Sequence, residues 1–221
     1  MSLPAITPYP LPTVDQLPAN RAEWQITPAR AVLLVHDMQR YFLRPYAESA
    51  DPLRGVLTNI STLADTCRTL GIPVIYTVKP GGMDPAQRGL ELHFWGRGMS
   101  ATDEHTAIDT RIAPRPTDLV VVKARYSAFV GTDLAARLAD LNRDQIIVTG
   151  VYAHIGCLLT AADAFMRDIQ PFLVADATAD FSAEEHRFAL TYAATRCAMV
   201  TSTADALAAL RSARVDVETG G

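Results

Sequence analysis

Strand-sized apolar runs alternate with stretches of helical spacing along most of this chain, and that alternation constrains the fold more than any other feature. AVLLVHD (31–37), IPVIYTV (72–78), LVVVK (119–123), QIIVTG (145–150), PFLVAD (171–176) and AMVTS (198–202) are short and apolar, and most are rich in β-branched residues. Continuous runs of this kind suit strands buried on both faces of a sheet. Between them lie VLTNISTLADTCRTLG (56–71), TDLAARLADLN (132–142), a segment from 156 to 168, SAEEHRFALTYAATRC (182–197) and TADALAALRS. These carry apolar residues at helical intervals; one stops at Gly71, and Ser182 with Glu185 has the spacing of a capping box. Strand–helix alternation predicts βαβ units with right-handed crossovers, and hence a three-layer α/β/α fold around a mainly parallel sheet.

The flanks read differently. Residues 1–29 hold several prolines and few periodic apolar positions, which predicts an extended N-terminal arm. One domain is expected over 30–212, with a frayed tail at 213–221. Residues 79–117 contain KPGGMD, a Trp-Gly pair and an APRP turn, and predict an irregular connection around a short helix. The formal charge of −4 and the absence of a basic run exclude a general nucleic-acid binder. No apolar run is long enough to span a membrane, and the N-terminus lacks the regions of a signal peptide. Cys67, Cys157 and Cys197 show no CxxC spacing and suggest reduced thiols in a cytoplasm. His36, His93, His105, His154 and His186 show no HxxxH or HExxH spacing, so no metal is expected. Neither GxGxxG nor a Walker pattern occurs, so no nucleotide cofactor is expected.

Ligands of open α/β sheets bind outside the carboxyl ends of the strands. The polar residues at those ends are His36 and Asp37, Lys79, Lys123, and Tyr152 to Gly156. Singly, Asp37 reads as a helix cap and Lys123 as a surface lysine. Together, an acid and an amine at neighbouring strand ends form a pair whose protonation burial and mutual attraction would tune.

HDMQRYF (36–42), KARYSAF (123–129), GVYAHIGC (150–157) and VADATADFS (174–182), in this order, resemble the isochorismatase family of the cysteine-hydrolase superfamily. ITPYPLPTVDQLPAN, LLVHDMQRYFLRP, the PGGM and QRGL segments and RCAMV give a closer likeness to the family's phenazine-pathway branch, which acts on 2-amino-2-deoxyisochorismate. The resemblance implies the Asp–Lys–Cys triad of the superfamily, with the nucleophile six residues after the glycine that ends the fourth strand. Counted from Gly150 that position is Gly156, and Cys157 lies one residue late, about 100° around a helix. Cys157 therefore reads as a small buried hydrophobe.

A site of this kind without a thiol suits an enol ether, which needs a proton at its methylene carbon and then a water, with no covalent step. The resemblance implies Asp37 as the acid, raised in pKa by burial and by the substrate's carboxylates against the pull of Lys123. It also implies Lys123, Arg88 and the Tyr152 region as anchors for a small dicarboxylate. Phe42, Trp95, Tyr126 and Phe129 are expected as apolar walls, and Gly156 as room for the pyruvyl group or water. Relatives carry glutamine at Lys79 and tryptophan at Ala124; Lys79 would then add positive charge near the carboxylates, unless it merely reaches to solvent, and would favour a hydroxyl-bearing ring, isochorismate. Further implications are a cis peptide at Val151–Tyr152, a homodimer, and no carrier domain in this chain. Two other readings stand beside this one: an amidase using Cys157 after a register shift, and an inactive oligomerisation module. Asp37 and Lys123 speak against the latter.

Overall fold

The computed structural model describes residues 3–212, so the tail expected at 213–221 lies outside the described residues. In chain order the elements are β1 (Ala31–His36), α1 (Arg40–Leu43), α2 (Leu53–Thr69), β2 (Val74–Val78), α3 (Pro85–Arg88), α4 (Glu91–Trp95) and α5 (Asp103–Thr106). There follow β3 (Leu119–Val122), α6 (Leu134–Asp140), β4 (Gln145–Val151), a π-helical turn (Ala153–Cys157), α7 (Leu158–Phe165), β5 (Gln170–Ala179), α8 (Ala183–Arg196), β6 (Met199–Thr201) and α9 (Thr203–Ser212). The sheet runs β3-β2-β1-β4-β5-β6 with every adjacent pair parallel. This is the three-layer architecture expected from the alternation.

Each sheet face packs a separate apolar cluster. Leu33, Val35, Val74 and Phe172 meet Val56, Ile60 and Leu63 of α2 and Leu210 of α9. On the other face Val32, Leu34, Ile146 and Val148 meet α6, α7 and α8 through Leu138, Ala161, Leu190 and Ala193. Their neighbours along the chain, Leu33, Val35 and Ile147, point to the opposite face, as the two-residue period of a strand requires. The small residues of α7 and α8 let the helices lie close to the sheet.

The N-terminal arm is extended except for a 3-10 turn at Val14–Gln16. It is also part of the core, because Ile6, Tyr9 and Ile26 join the α2-side cluster. Asn20 closes against β6 by donating to the Val200 carbonyl and accepting from the Val200 amide.

Between β1 and β4 the strand order reverses, and the loops leaving those two strands diverge. That switch point opens a crevice at the carboxyl ends. The connection from β2 to β3, expected as irregular around one short helix, instead carries α3, α4, α5 and a 3-10 turn at Thr110–Ile112. It folds over the crevice. Its capping box at Asp84 and Gln87 and the proline at the first position of α3 give local starts too short to stand out by periodicity.

Candidate active site

Asp37 follows β1 with φ of +51°, a left-handed conformation that costs a non-glycine residue free energy and that aspartate tolerates better than most. Its amide is held by Thr77, and Thr77 Oγ1 donates to Asp37 Oδ1 at 2.7 Å. Lys123, just past β3, is almost fully buried and donates from Nζ to Asp37 Oδ2 at 2.7 Å and to the Arg125 carbonyl at 2.9 Å. The two residues singled out at separate strand ends thus form one buried ion pair. Burial pushes the Asp37 carboxyl up, but the Lys123 ammonium and the hydrogen bonds from Lys123 and Thr77 together pull harder, and the net position is below the ordinary carboxylate value. The expectation of a raised pKa therefore does not hold for the free protein, whose Asp37 is ionised near neutrality.

A cavity rises from this pair toward the β2–β3 connection. It is lined by Asp37, Phe42, Lys79, Arg88, Trp95, Lys123, Tyr126, Tyr152 and Gly156, all of them candidates from the sequence. Phe129 is a correction. It lies in the α6–α8 cluster on the far face of the sheet, with the Arg167 guanidinium over its ring, and is core rather than wall. The direction of KARYSAF after β3 decides this: Lys123 and Tyr126 point to the cavity while Ala128 and Phe129 turn under the sheet edge.

The walls hold one another in place. Trp95 Nε1 donates to Tyr126 Oη at 2.6 Å, and Tyr152 Oη donates to the Phe42 carbonyl at 2.7 Å. Phe181 stacks on Tyr152 with ring centroids 4.0 Å apart and on Trp95 at 6.0 Å. The Tyr152 hydroxyl is therefore committed to the protein, and its ring is what faces the cavity. Val151–Tyr152 is a cis peptide, as expected. Ala124 is half-buried and does not line the cavity.

Lys79 does not reach for solvent. Its backbone is clamped by Gln39, whose Oε1 accepts from the Lys79 amide and whose Nε2 donates to the Lys79 carbonyl. Its ammonium pairs with Glu91 Oε2, which also accepts from Arg88 Nη1 at 3.0 Å. Burial lowers the Lys79 pKa and the Glu91 hydrogen bond opposes that shift. Glu91 was not legible from the sequence, because a charged residue at the start of a four- to five-residue helix reads as solvated surface. Phe181, Tyr41 and Ile155 of the lining, and Arg97 at the exposed mouth, were likewise not singled out.

The superfamily nucleophile position is closed from below. A Cβ built on Gly156 would lie 2.2 Å from His36 Cε1 and 2.9 Å from His36 Nδ1. The glycine is required by the His36 ring, which occupies the space that the sequence reading reserved for substrate or water; Gly156 still borders the cavity through its backbone. His36 is fully buried, its Nδ1 sits 3.1 Å from the Val151 carbonyl, and burial lowers its pKa to about 4, so the ring is neutral. Cys157 is fully buried in the far cluster, and burial first, then Asp37 and Asp180, raise its thiol well above the ordinary value. A protonated, inaccessible thiol is not a nucleophile. Among the described residues no group of three or more His, Cys, Asp or Glu side chains could hold a metal ion, and no helix is long and apolar enough to cross a membrane.

An α/β sheet with an Asp–Lys pair at its switch point, aromatic walls and no accessible thiol defines a class: the isochorismatase-like hydrolases, in the form that lacks the cysteine. Comparison with known proteins agrees. Residues 31–205 match the isochorismatase domain. The phenazine biosynthesis protein PhzD1 of Pseudomonas aeruginosa is 52% identical over 205 residues, covering 93% of this chain and 98% of that protein. The isochorismatase of Bacillus subtilis is 48% identical over 218 residues, covering 99% of this chain and 70% of that protein. A crystal structure of a cysteine hydrolase from Pseudomonas syringae superposes with a TM-score of 0.78 at 27% identity, covering 89% of this chain and 98% of the other. The chain belongs to the isochorismatase family and is a hydrolase.

Proposed function

We propose that this enzyme hydrolyses the enolpyruvyl vinyl ether of 2-amino-2-deoxyisochorismate, giving pyruvate and trans-2,3-dihydro-3-hydroxyanthranilate. The observation that carries the reading is the buried Asp37–Lys123 pair at the cavity floor beside a position where Gly156 replaces a nucleophile. Asp37 gives its proton to the terminal methylene carbon of the vinyl ether, and the ether oxygen supports the oxocarbenium that forms at the adjacent, oxygen-bearing carbon. Water adds to that carbon and loses a proton, and the hemiketal collapses to pyruvate and the ring alcohol. Asp37 ends as the carboxylate that Lys123 already stabilises.

The proton has to arrive with the substrate, since Asp37 is ionised in the free enzyme. A bound dicarboxylate places negative charge near Lys123 and excludes water, and both raise the Asp37 pKa. Such a general acid contributes about 10²–10⁴-fold to rate. The likeness to PhzD1 at nearly full length supports the amine-bearing substrate. The 48% identity to an isochorismatase supports isochorismate as the second reading, with the same chemistry and a hydroxyl in place of the amine.

Pyruvate release coupled to lactate dehydrogenase, measured with both substrates, tests the proposal. Turnover of 2-amino-2-deoxyisochorismate with the higher kcat/KM is expected. A preference for isochorismate replaces the first reading by the second, and no pyruvate from either ends both.

A further inference from the structure

Glu91 is the one acid in the cavity wall that the chemistry above does not use. It opens α4, lies directly over the crevice, and its side chain is 8% exposed. Lys79 and Arg88 both donate to its Oε2, on one side of the carboxylate. Its other oxygen, Oε1, is buried and has no hydrogen-bond partner among the described residues. A buried carboxylate oxygen without a donor is costly, and because Glu91 lines the cavity a donor group of the ligand can satisfy it.

The charges on this wall alternate. Lys79 and Arg88 bring positive charge to Oε2, and Oε1 leaves the negative charge of the same carboxylate beside them. The substrate proposed above carries a ring carboxylate and, on the adjacent ring carbon, an amine that is protonated near neutrality. Its minus and plus lie side by side in the same way. Isochorismate has a neutral hydroxyl at that carbon and gains only an ordinary hydrogen bond, whereas an ammonium gains a charge-assisted one. Lys79, read alone, would repel the amine; paired with Glu91 it no longer does.

Resting on the vinyl-ether reading, we propose that Glu91 is a specificity-determining residue: Oε1 accepts from the protonated ring amine while Arg88 and Lys79 hold the neighbouring carboxylate. The cluster thereby selects the amine-bearing substrate over its hydroxyl counterpart.

The test compares kcat/KM for 2-amino-2-deoxyisochorismate and isochorismate in the wild type, Glu91→Gln and the Lys79→Gln/Glu91→Gln double variant. Glu91→Gln should lower the amine-to-hydroxyl ratio at least tenfold. The double variant removes one charge of each sign and leaves the net charge of the wall unchanged; its ratio should stay low, because the acceptor for the ammonium is still missing. If Glu91→Gln leaves Lys79 and Arg88 too poorly compensated to fold, the double variant alone decides. A ratio within twofold of wild type in Glu91→Gln overturns the proposal. So does a wild-type ratio in the double variant, which would make Glu91 only the counter-ion of Lys79. Pyruvate from neither substrate in the wild type would sink the vinyl-ether reading itself, a result distinct from turnover of both with an unmoved ratio.

Discussion

Replacing Gly156 by alanine adds a single methyl group in a stretch of helical backbone, where that change ordinarily gains up to about 1 kcal/mol. Here the sign should reverse. The new Cβ would stand 2.2 Å from His36 Cε1, 2.9 Å from Nδ1 and 3.0 Å from Nε2, so the imidazole has to move. It is fully buried between the sheet and the π-helical turn, and the move breaks its contact with the Val151 carbonyl. Overpacking a core costs about 1–3 kcal/mol and a lost buried hydrogen bond about 1–3 kcal/mol more. Less the helical gain, the net loss is roughly 1–5 kcal/mol, which at about 2–4 °C per kcal/mol lowers Tm by about 2–20 °C. Urea denaturation and thermal melts of wild type, Gly156→Ala, His36→Ala and the double variant give the coupling directly. In the His36→Ala background the added methyl has space, and its penalty should vanish. An equal penalty in both backgrounds, or a Gly156→Ala protein as stable as wild type, refutes the steric argument. For the same reason Gly156→Cys should not create a nucleophile, because its Cβ meets the same ring.

Asp37→Asn should retain the fold and lose pyruvate release by at least about 10²-fold, since an amide cannot donate the proton; a rate near wild type in the coupled assay would remove Asp37 from the mechanism. Cys157→Ala should keep most activity, and iodoacetamide should leave the native thiol unmodified, as a buried protonated thiol requires; inactivation traced to Cys157 by mass spectrometry would restore the amidase reading. Stability should fall on acidification from about pH 6.5 to pH 4, because His36 and His186 are both held near pKa 4 and the unfolded chain binds their protons first. Each contributes about 3 kcal/mol across that window; His154, raised by its pairing with Asp180, works in the opposite sense. Urea midpoints that stay level from pH 7 to pH 5 would show that the two rings are not buried neutral.

The alternation of β-branched runs and helical stretches was enough to determine the layers, the parallel sheet and the end of it at which to look. Its period is local, and a strand buried on both faces writes a continuous apolar run wherever it lies. Asp37 and Lys123 were legible for the same reason: each is a charged group that closes such a run. Tertiary structure decided what these residues meet. Phe129 and Tyr126 are three residues apart in one loop, yet the loop turns between them, so one lines the cavity and the other packs under the sheet. Gly156 read as space for a ligand, but the neighbouring strand fills that space with His36, 120 positions earlier in the chain. Lys79 read as an added positive charge, and the folded β2–β3 connection returns Glu91 to cancel it. Nor could the protonation of Asp37 be read from its position, since it depends on which wins, the desolvation of a carboxylate or the ammonium 2.7 Å away. Periodicity records which face of an element is buried; charge pairing and steric exclusion depend on distances between elements, and only the packed chain sets those.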